Sequence, residues 1–392
     1  MLLLREVLQR APAVMNEAFE LLVAAQDAND KAVRPILMHP YLDAWAAGVL
    51  QSSTIAADAS GYLWLLATAA AVRAGQDFTA TVPVTNAGHV LLPTLGLVTV
   101  GPRTSAQITR RGGRVSVQTP AATVTLPADL EQAALGWRPT PRARLAPGLV
   151  VDIDDADPHR AGHKWRPTSL LAPAQIDSWR CALLAAWELL REEHGPYAAG
   201  VSGGWQSLVP LAAQTGGRVV SAASRNGFGV IAASLPTDPV LLALTVVHEF
   251  QHVKLGGLLD MVPLCIQPQL RRYYAPWRDD PRPVEALLQG AYAHLGVADF
   301  WRVQRSAAKG TDREFAEREF VRWRHHTGYA IDQLIAGEEL TTHGQAFVAG
   351  MKRSVEVLFA EPVPRHVVAS VELEARAGEA RWLANAAGDG TR

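Results

Sequence analysis

The segment His248-Glu249-Phe250-Gln251-His252 constrains this chain more than any other feature. Two histidines four residues apart stand on one face of a helix, so both imidazoles reach a single metal ion. Asp238-Pro239 marks the start of that helix, with aspartate as N-cap and proline at the first helical position. Leu241, Leu244, Val247 and Leu255 make the helix a buried one, where ionisable groups need a partner. With 12 histidines in 392 residues, the pattern arises by chance only about 0.02 times. Glu249 follows the first histidine directly. In zinc peptidases a glutamate so placed is the general base on a metal-bound water.

The rest of the chain predicts an α+β fold. It is mainly helical, with a small antiparallel β region in the N-terminal half and the HExxH metal helix behind it. Three regions emerge: helical at 1–75, β-rich at 76–170, and a helical catalytic region at 171–392. Short β-rich runs carry the middle region: Thr81–Thr85, Val90–Leu92, Leu97–Val100, Val115–Gln118 and Thr123–Leu126. Arg114-Val115-Ser116-Val117-Gln118 alternates in the way a half-buried strand does. Asn226-Gly227 predicts a hairpin between Arg218–Ala222 and Phe228–Ser234. The cluster Asp152, Asp154, Asp155 and Asp157 lacks the glycine and terminal glutamate of a calcium loop, and reads as a solvated turn or a salt-bridged loop.

Lys plus Arg is 37 and Asp plus Glu is 38. That balance argues against nucleic acid as the main partner. Two cysteines in such a length cannot make a disulfide framework, which predicts a reducing compartment. Charges arrive by Arg5 and Glu6, before a secretory apolar region forms, and the apolar stretch Tyr62–Val72 is too short for a bilayer. The expectation is a cytoplasmic protein with no membrane partner.

The third ligand decides the chemistry. Leu255 and Leu258 stand where the metzincin extension needs glycine and histidine, which excludes that class. Glu285 and His294 are the candidates further on. They lie nine residues apart on one predicted helix, on opposite faces at about 100° per residue. His294 shares its face with Leu287, Gly290 and Ala291, small and apolar residues suited to packing against the HExxH helix. Glu285 has an ordinary explanation in the first helical turn. This favours His294, with Glu285, or even Glu249, in reserve. Tyr273-Tyr274-Ala275-Pro276-Trp277-Arg278-Asp279-Asp280-Pro281-Arg282 lies between them. Such a density of aromatics and arginines suggests a carboxylate pocket, because the guanidinium fork grips carboxylate in two places. An Arg–Asp network stapling a loop is the plainer alternative. His325 and His326 point apart on a helix and read as surface residues, and Thr311 to Arg324 as a solvated charged face.

Three blocks carry a family resemblance: His248-Glu249-Phe250-Gln251-His252-Val253-Lys254-Leu255, then Tyr274-Ala275-Pro276-Trp277-Arg278-Asp279-Asp280-Pro281-Arg282-Pro283, then Gly290-Ala291-Tyr292-Ala293-His294-Leu295-Gly296-Val297. In this order and spacing the chain resembles the α-ketoglutarate-dependent HExxH-type peptide β-hydroxylases, found beside or fused to radical SAM enzymes that mature ribosomal peptides. His39-Pro40-Tyr41, Leu92-Pro93-Thr94-Leu95-Gly96 and Asp154-Asp155-Ala156-Asp157-Pro158 extend the likeness over most of the chain. The resemblance implies Fe(II) rather than zinc, α-ketoglutarate as co-substrate, and a ribosomally made precursor peptide hydroxylated at a β-carbon. A radical SAM maturase acting on the same peptide is the implied partner, and no radical SAM cysteine triad is present here. His248, His252 and His294 would hold the metal. Arg278 or Arg282, with Tyr274, would hold the distal carboxylate of the co-substrate. A three-histidine site departs from the usual triad of two histidines and a carboxylate.

Two other readings stand beside it. A zinc metallopeptidase would use Glu249 as base and the strand Phe228–Ser234 to align a substrate peptide. A peptide-binding protein with a vestigial site would hold no tight metal.

Overall fold

Alternating and helical stretches sort into two units in the computed structural model, which describes residues 2–9, 13–52, 57–160, 165–214, 216, 218–269 and 271–389. One unit is Met1–Leu184 with Trp205–Leu235, the other Ala185–Gly204 with Pro236–Arg392. The expected regions 1–75 and 76–170 both fall in the first unit, and so do 171–184 and 205–235 from the expected third region. The fold is α+β and mainly helical, as the patterning predicts. Among the described residues no helix is long and apolar enough to cross a membrane.

The first unit opens with helices α1 (Leu2–Gln9), α2 (Ala13–Ala28), α3 (Asp30–Leu37), α4 (Pro40–Gln51) and α5 (Ala57–Ala74). Strands β1 (Phe78–Pro83), β2 (His89–Leu92), β3 (Gly96–Thr99), β4 (Ser105–Arg111), β5 (Arg114–Thr119), β6 (Ala122–Thr125), β7 (Trp137–Pro139), β8 (Arg142–Ala146) and β9 (Leu149–Ile153) follow. An antiparallel sheet runs β1-β4-β5-β6 and a second β2-β3-β7. Val82, Ile108 and Val117 alternate inward and share one core with Leu63, Leu66 and Ala70 of α5.

A third sheet, in the order β11 (Ser221–Ala223), β12 (Val230–Ala233), β10 (Ser207–Pro210), β9, β8, adds to the expected antiparallel pairing a parallel one that the sequence does not signal. Its strands β10, β11 and β12 come late in the chain. β10 pairs in parallel with both β9 and β12. Parallel neighbours need a long crossover; α6 (Pro173–Glu193) and α7 (Gly195–Gly204) lie between β9 and β10 in sequence. The expected hairpin is present, with Ser221 opposite Ala233.

The acidic cluster is not a solvated turn. Asp155 grips Arg138 through two bonds of 3.0 and 2.5 Å and accepts the Leu171 N–H at 2.7 Å. Asp154 accepts the N–H groups of Ala156 and Asp157. Asp157 accepts from the Tyr62 hydroxyl and the His159 N–H, both at 2.8 Å. All three carboxylates are buried. Burial raises the Asp154 and Asp157 carboxyls, with repulsion from Asp152 adding to the first and from Asp154 to the second. Residues 161–164, at the end of this acidic stretch, lie outside the described residues.

The second unit carries α7 and the helices α8 (Pro239–Met261), α9 (Val284–Ala307), α10 (Gly310–Ala336), α11 (Thr342–Ala360) and α12 (Arg365–Asp389). Leu255, Leu287, Leu288, Ala291, Ile331, Leu334 and Val348 make its core. The charged stretch Thr311 to Arg324 is solvated over its first five residues and largely buried from Glu319 on. Arg324 is buried and donates to the carbonyls of Leu358 and Glu361. Arg305 on α9 pairs with Glu317 at 2.8 Å.

Candidate metal centre

Asp238 caps α8 as its sequence predicts, accepting the Val240 N–H at 2.8 Å. Three turns on, His248 and His252 project from one face with ring centroids 4.9 Å apart. The ligand atoms of His248, Glu249 and His252 all lie within 4.8 Å of one another. The Glu249 carboxylate is buried and 3.9 Å from the His248 Nε2. The His248 side chain keeps 22% of its surface, which leaves its ring open to a cleft.

His294 comes from α9. Its ring centroid is 4.9 Å from that of His248. Its Nδ1 lies 2.8 Å from the Gly290 carbonyl. A carbonyl only accepts, so Nδ1 carries the proton and Nε2 keeps its lone pair. The ring is clamped between two indoles: Trp323 stacks on it at 4.3 Å and 7°, and Trp277 lies 4.4 Å away at 36°. Trp323 is fixed in turn by a 2.9 Å bond to Glu319. Gly290 makes room for this clamp, since a Cβ there would meet the Trp277 ring at 2.5 Å.

Burial pushes all three imidazoles toward neutrality. His252 falls to about 4. His294 falls to about 3, with the Gly290 carbonyl opposing burial and His252, His326 and Arg322 reinforcing it. His248 falls well below its ordinary value, by burial and then by its two histidine neighbours. Neutral imidazole is the form that binds a metal ion. Two or three such rings with a carboxylate fit a divalent transition metal.

A cleft of about 610 Å³ opens over these rings. His248, His252, His294, Glu285, Arg278 and Arg282 all border it, with Trp277 and Trp323. The opposite-face argument that separated Glu285 from His294 therefore needs correction. The cleft wraps round half the circumference of α9, so both reach it. Glu285 is engaged with Gln269 and Gln289. Among the described residues, neither Glu285 nor His294 belongs to the group within 4.8 Å.

Arg278 and Arg282 both clasp Asp280, at 2.6 and 2.9 Å. They make the Arg–Asp staple and border the cleft at once. Arg278 uses Nε and Arg282 one Nη, so each guanidinium has further N–H donors for a ligand. Tyr274 lies elsewhere. It lines a neighbouring cleft with Trp382 and Arg381, its ring 5.4 Å from Trp382 and 5.8 Å from Tyr329. There it helps seat α12, where a Cβ at Gly378 would meet its hydroxyl at 2.9 Å.

Two residues escaped the sequence reading. Trp323 gave no signal because it meets His294 from a different helix. His326, expected at the surface, is half-buried with its Nδ1 unbonded, and its ring lies 5.8 Å from Trp323. The strand that the peptidase reading needs, β12, lies between β10 and β11 with both edges paired. It cannot align a substrate strand. No family model matches the chain, and no curated protein matches it.

Proposed function

We propose that this protein is an Fe(II)- and α-ketoglutarate-dependent oxygenase that hydroxylates the β-carbon of a residue in a ribosomally made precursor peptide. The observation that carries this reading is one cleft bordered by three neutral histidines and by Arg278 and Arg282. His248 and His252 hold the metal through free ring nitrogens, and His294 stands beside them as third donor. Arg278 and Arg282 orient a dicarboxylate through donors that Asp280 leaves over. Trp277 and Trp323 hold the His294 ring and keep water from its faces. Bound iron would supply the oxidation, in which dioxygen gives one atom to α-ketoglutarate, released as succinate and CO2, and the other to a C–H bond that becomes C–OH. The resemblance of the three sequence blocks to the peptide β-hydroxylases supports the same assignment, including a precursor peptide as substrate and a radical SAM maturase as a neighbour in the same maturation.

Anaerobic reconstitution with Fe(II) and α-ketoglutarate tests it. The expected result is a charge-transfer absorption band that decays on oxygen exposure, with succinate formed. Uptake of zinc alone, with no succinate, overturns it.

One observation favours a zinc peptidase: Glu249 sits with both histidines, where a general base belongs. Glu249→Gln separates the two. A peptidase keeps its metal and loses all turnover, whereas an oxygenase with a histidine third ligand keeps metal and succinate formation.

A further inference from the structure

Trp277 and Trp323 border two clefts. One is the cleft over the histidines; the other, also about 610 Å³, starts a single ring away from His294. Arg278 borders both as well. The second cleft is built within 274–382, so it belongs to the second unit alone. Four indole and phenol rings line it: Tyr274, Trp277, Trp323 and Trp382. The three indoles are only half-buried. Tyr274 and Trp382 stand 5.4 Å apart and tilted by 42°, so they do not stack the space shut. On the α12 side, Ala375 and Gly378 present almost no side chain to it.

The charges on the rim restrict what these rings can receive. Electron-rich ring faces attract cations, but Arg278, Arg322 and Arg381 already stand there. Arg322 lies over Trp323 itself, 4.9 Å from the ring centre. A further cation is repelled. A carboxylate gains little, because Asp280 holds Arg278 and Glu319 holds Arg322, while Asp279 and Glu374 share the rim. An uncharged group remains. An aliphatic one would fill the space without using the ring quadrupoles, whereas an aromatic one meets them edge-to-face or offset.

We propose that this second cleft is a specificity subsite for an uncharged aromatic side chain of the peptide substrate, one or two residues from the residue presented to the metal. Cα atoms one and two residues apart in an extended chain are separated by about 3.8 and 7 Å. That is the scale of the indoles that divide the two clefts. Trp277 and Trp323 then serve both sides, steadying His294 on one and receiving the neighbouring residue on the other. The proposal rests on the reading of the protein as one that acts on a peptide, and names a residue type that peptide carries beside its reacting position.

The test uses the full chain and three capped tripeptides, acetyl-Gly-Phe-Gly-amide, acetyl-Gly-Leu-Gly-amide and acetyl-Gly-Lys-Gly-amide, titrated by ligand-observed NMR. Phenylalanine and leucine are both large and apolar, so the difference between them reads ring contacts rather than burial. The phenylalanine peptide is expected to bind about tenfold tighter than the leucine peptide, with the lysine peptide weakest. Ala375→Leu puts a larger side chain into the cleft on a residue that suits a helix. It is expected to weaken the phenylalanine peptide about tenfold. Trp382→Leu keeps an apolar seat but removes one ring, and is expected to cut the preference for phenylalanine about threefold, which covers the case that the first variant fails to fold. Equal binding of phenylalanine and leucine, tighter binding of lysine, no binding, or a phenylalanine affinity unchanged in whichever variant folds overturns the proposal. Metal uptake and succinate formation, measured in parallel, report on the oxygenase reading separately, because neither Ala375 nor Trp382 borders the cleft over the histidines.

Discussion

In the first unit, Asp154, Asp155 and Asp157 are buried and every carboxylate has partners inside the fold: two N–H groups for Asp154, a guanidinium and an N–H for Asp155, a hydroxyl and an N–H for Asp157. In the second, burial holds His248, His252 and His294 neutral, yet His248 and His252 stay partly exposed and all three border a cleft. Asp154 and Asp157 in the one, and all three imidazoles in the other, carry displaced proton affinities. Displacement alone therefore does not separate a structural cluster from a functional one. What separates them is whether the polar atoms are used up within the protein.

The largest effect that can break this comparison comes from the histidines. His252→Ala is expected to lower metal uptake by about a hundredfold or more, measured by metal analysis after gel filtration, with little change in the first unit. Uptake unchanged would put the metal elsewhere.

Asp155→Ala comes next and works the other way. It strands Arg138 and the Leu171 N–H, and is expected to cost about 2–3 kcal/mol of stability in urea unfolding, discounted because Arg138 is 30% exposed. Metal uptake should stay as it was. A fall in metal binding would mean that the acidic cluster serves the metal after all.

Gly290→Ala sharpens the role of the aromatic clamp. The added methyl collides with Trp277, frees one face of His294, and is expected to weaken metal binding about tenfold, as loss of outer support does elsewhere. His294→Ala in the same assay shows how much of the ligand's contribution the clamp secures.

The smallest effects are in pH. The Asp157 carboxyl is raised by burial and by Asp154. Its folded form holds a proton more tightly than the unfolded chain, so its stabilisation is full at low pH. It fades as pH rises from about 4 through the raised value. His194, stacked on Phe300 at 4.2 Å, falls to about 4 through burial. Its stabilisation is full above about 6.5 and is lost as pH falls toward 4. Segment-resolved hydrogen exchange should show the 150–160 loop loosening with base and the 190–200 segment with acid. Asp157→Asn and His194→Asn should each flatten only their own limb.

The sequence showed α8 almost completely, because a helix start and a four-residue repeat are local signals. His294 was legible too, from the small residues that share its face. Trp323 was not, since stacking between α9 and α10 leaves no periodic trace in either. The mixed sheet was hidden for a related reason. β10 is a four-residue run whose partners lie about fifty residues before it and twenty after, and parallel pairing leaves no turn signal. Of the two readings of the acidic cluster, the salt-bridged loop holds and the solvated turn fails, because charge in a sequence does not reveal which arginine, tyrosine and backbone N–H groups fold over it. Proximity in the chain points Tyr274 to the cleft, whereas its ring faces α12.

The indoles beside His294 give the protein a native optical reporter. Two of its eleven tryptophans touch that ring. A paramagnetic ion held by the imidazole would lie close enough to dim their ultraviolet emission, while zinc, with its filled shell, would leave it bright. Occupancy of the site, and the kind of ion in it, would then register in the glow of the unlabelled chain.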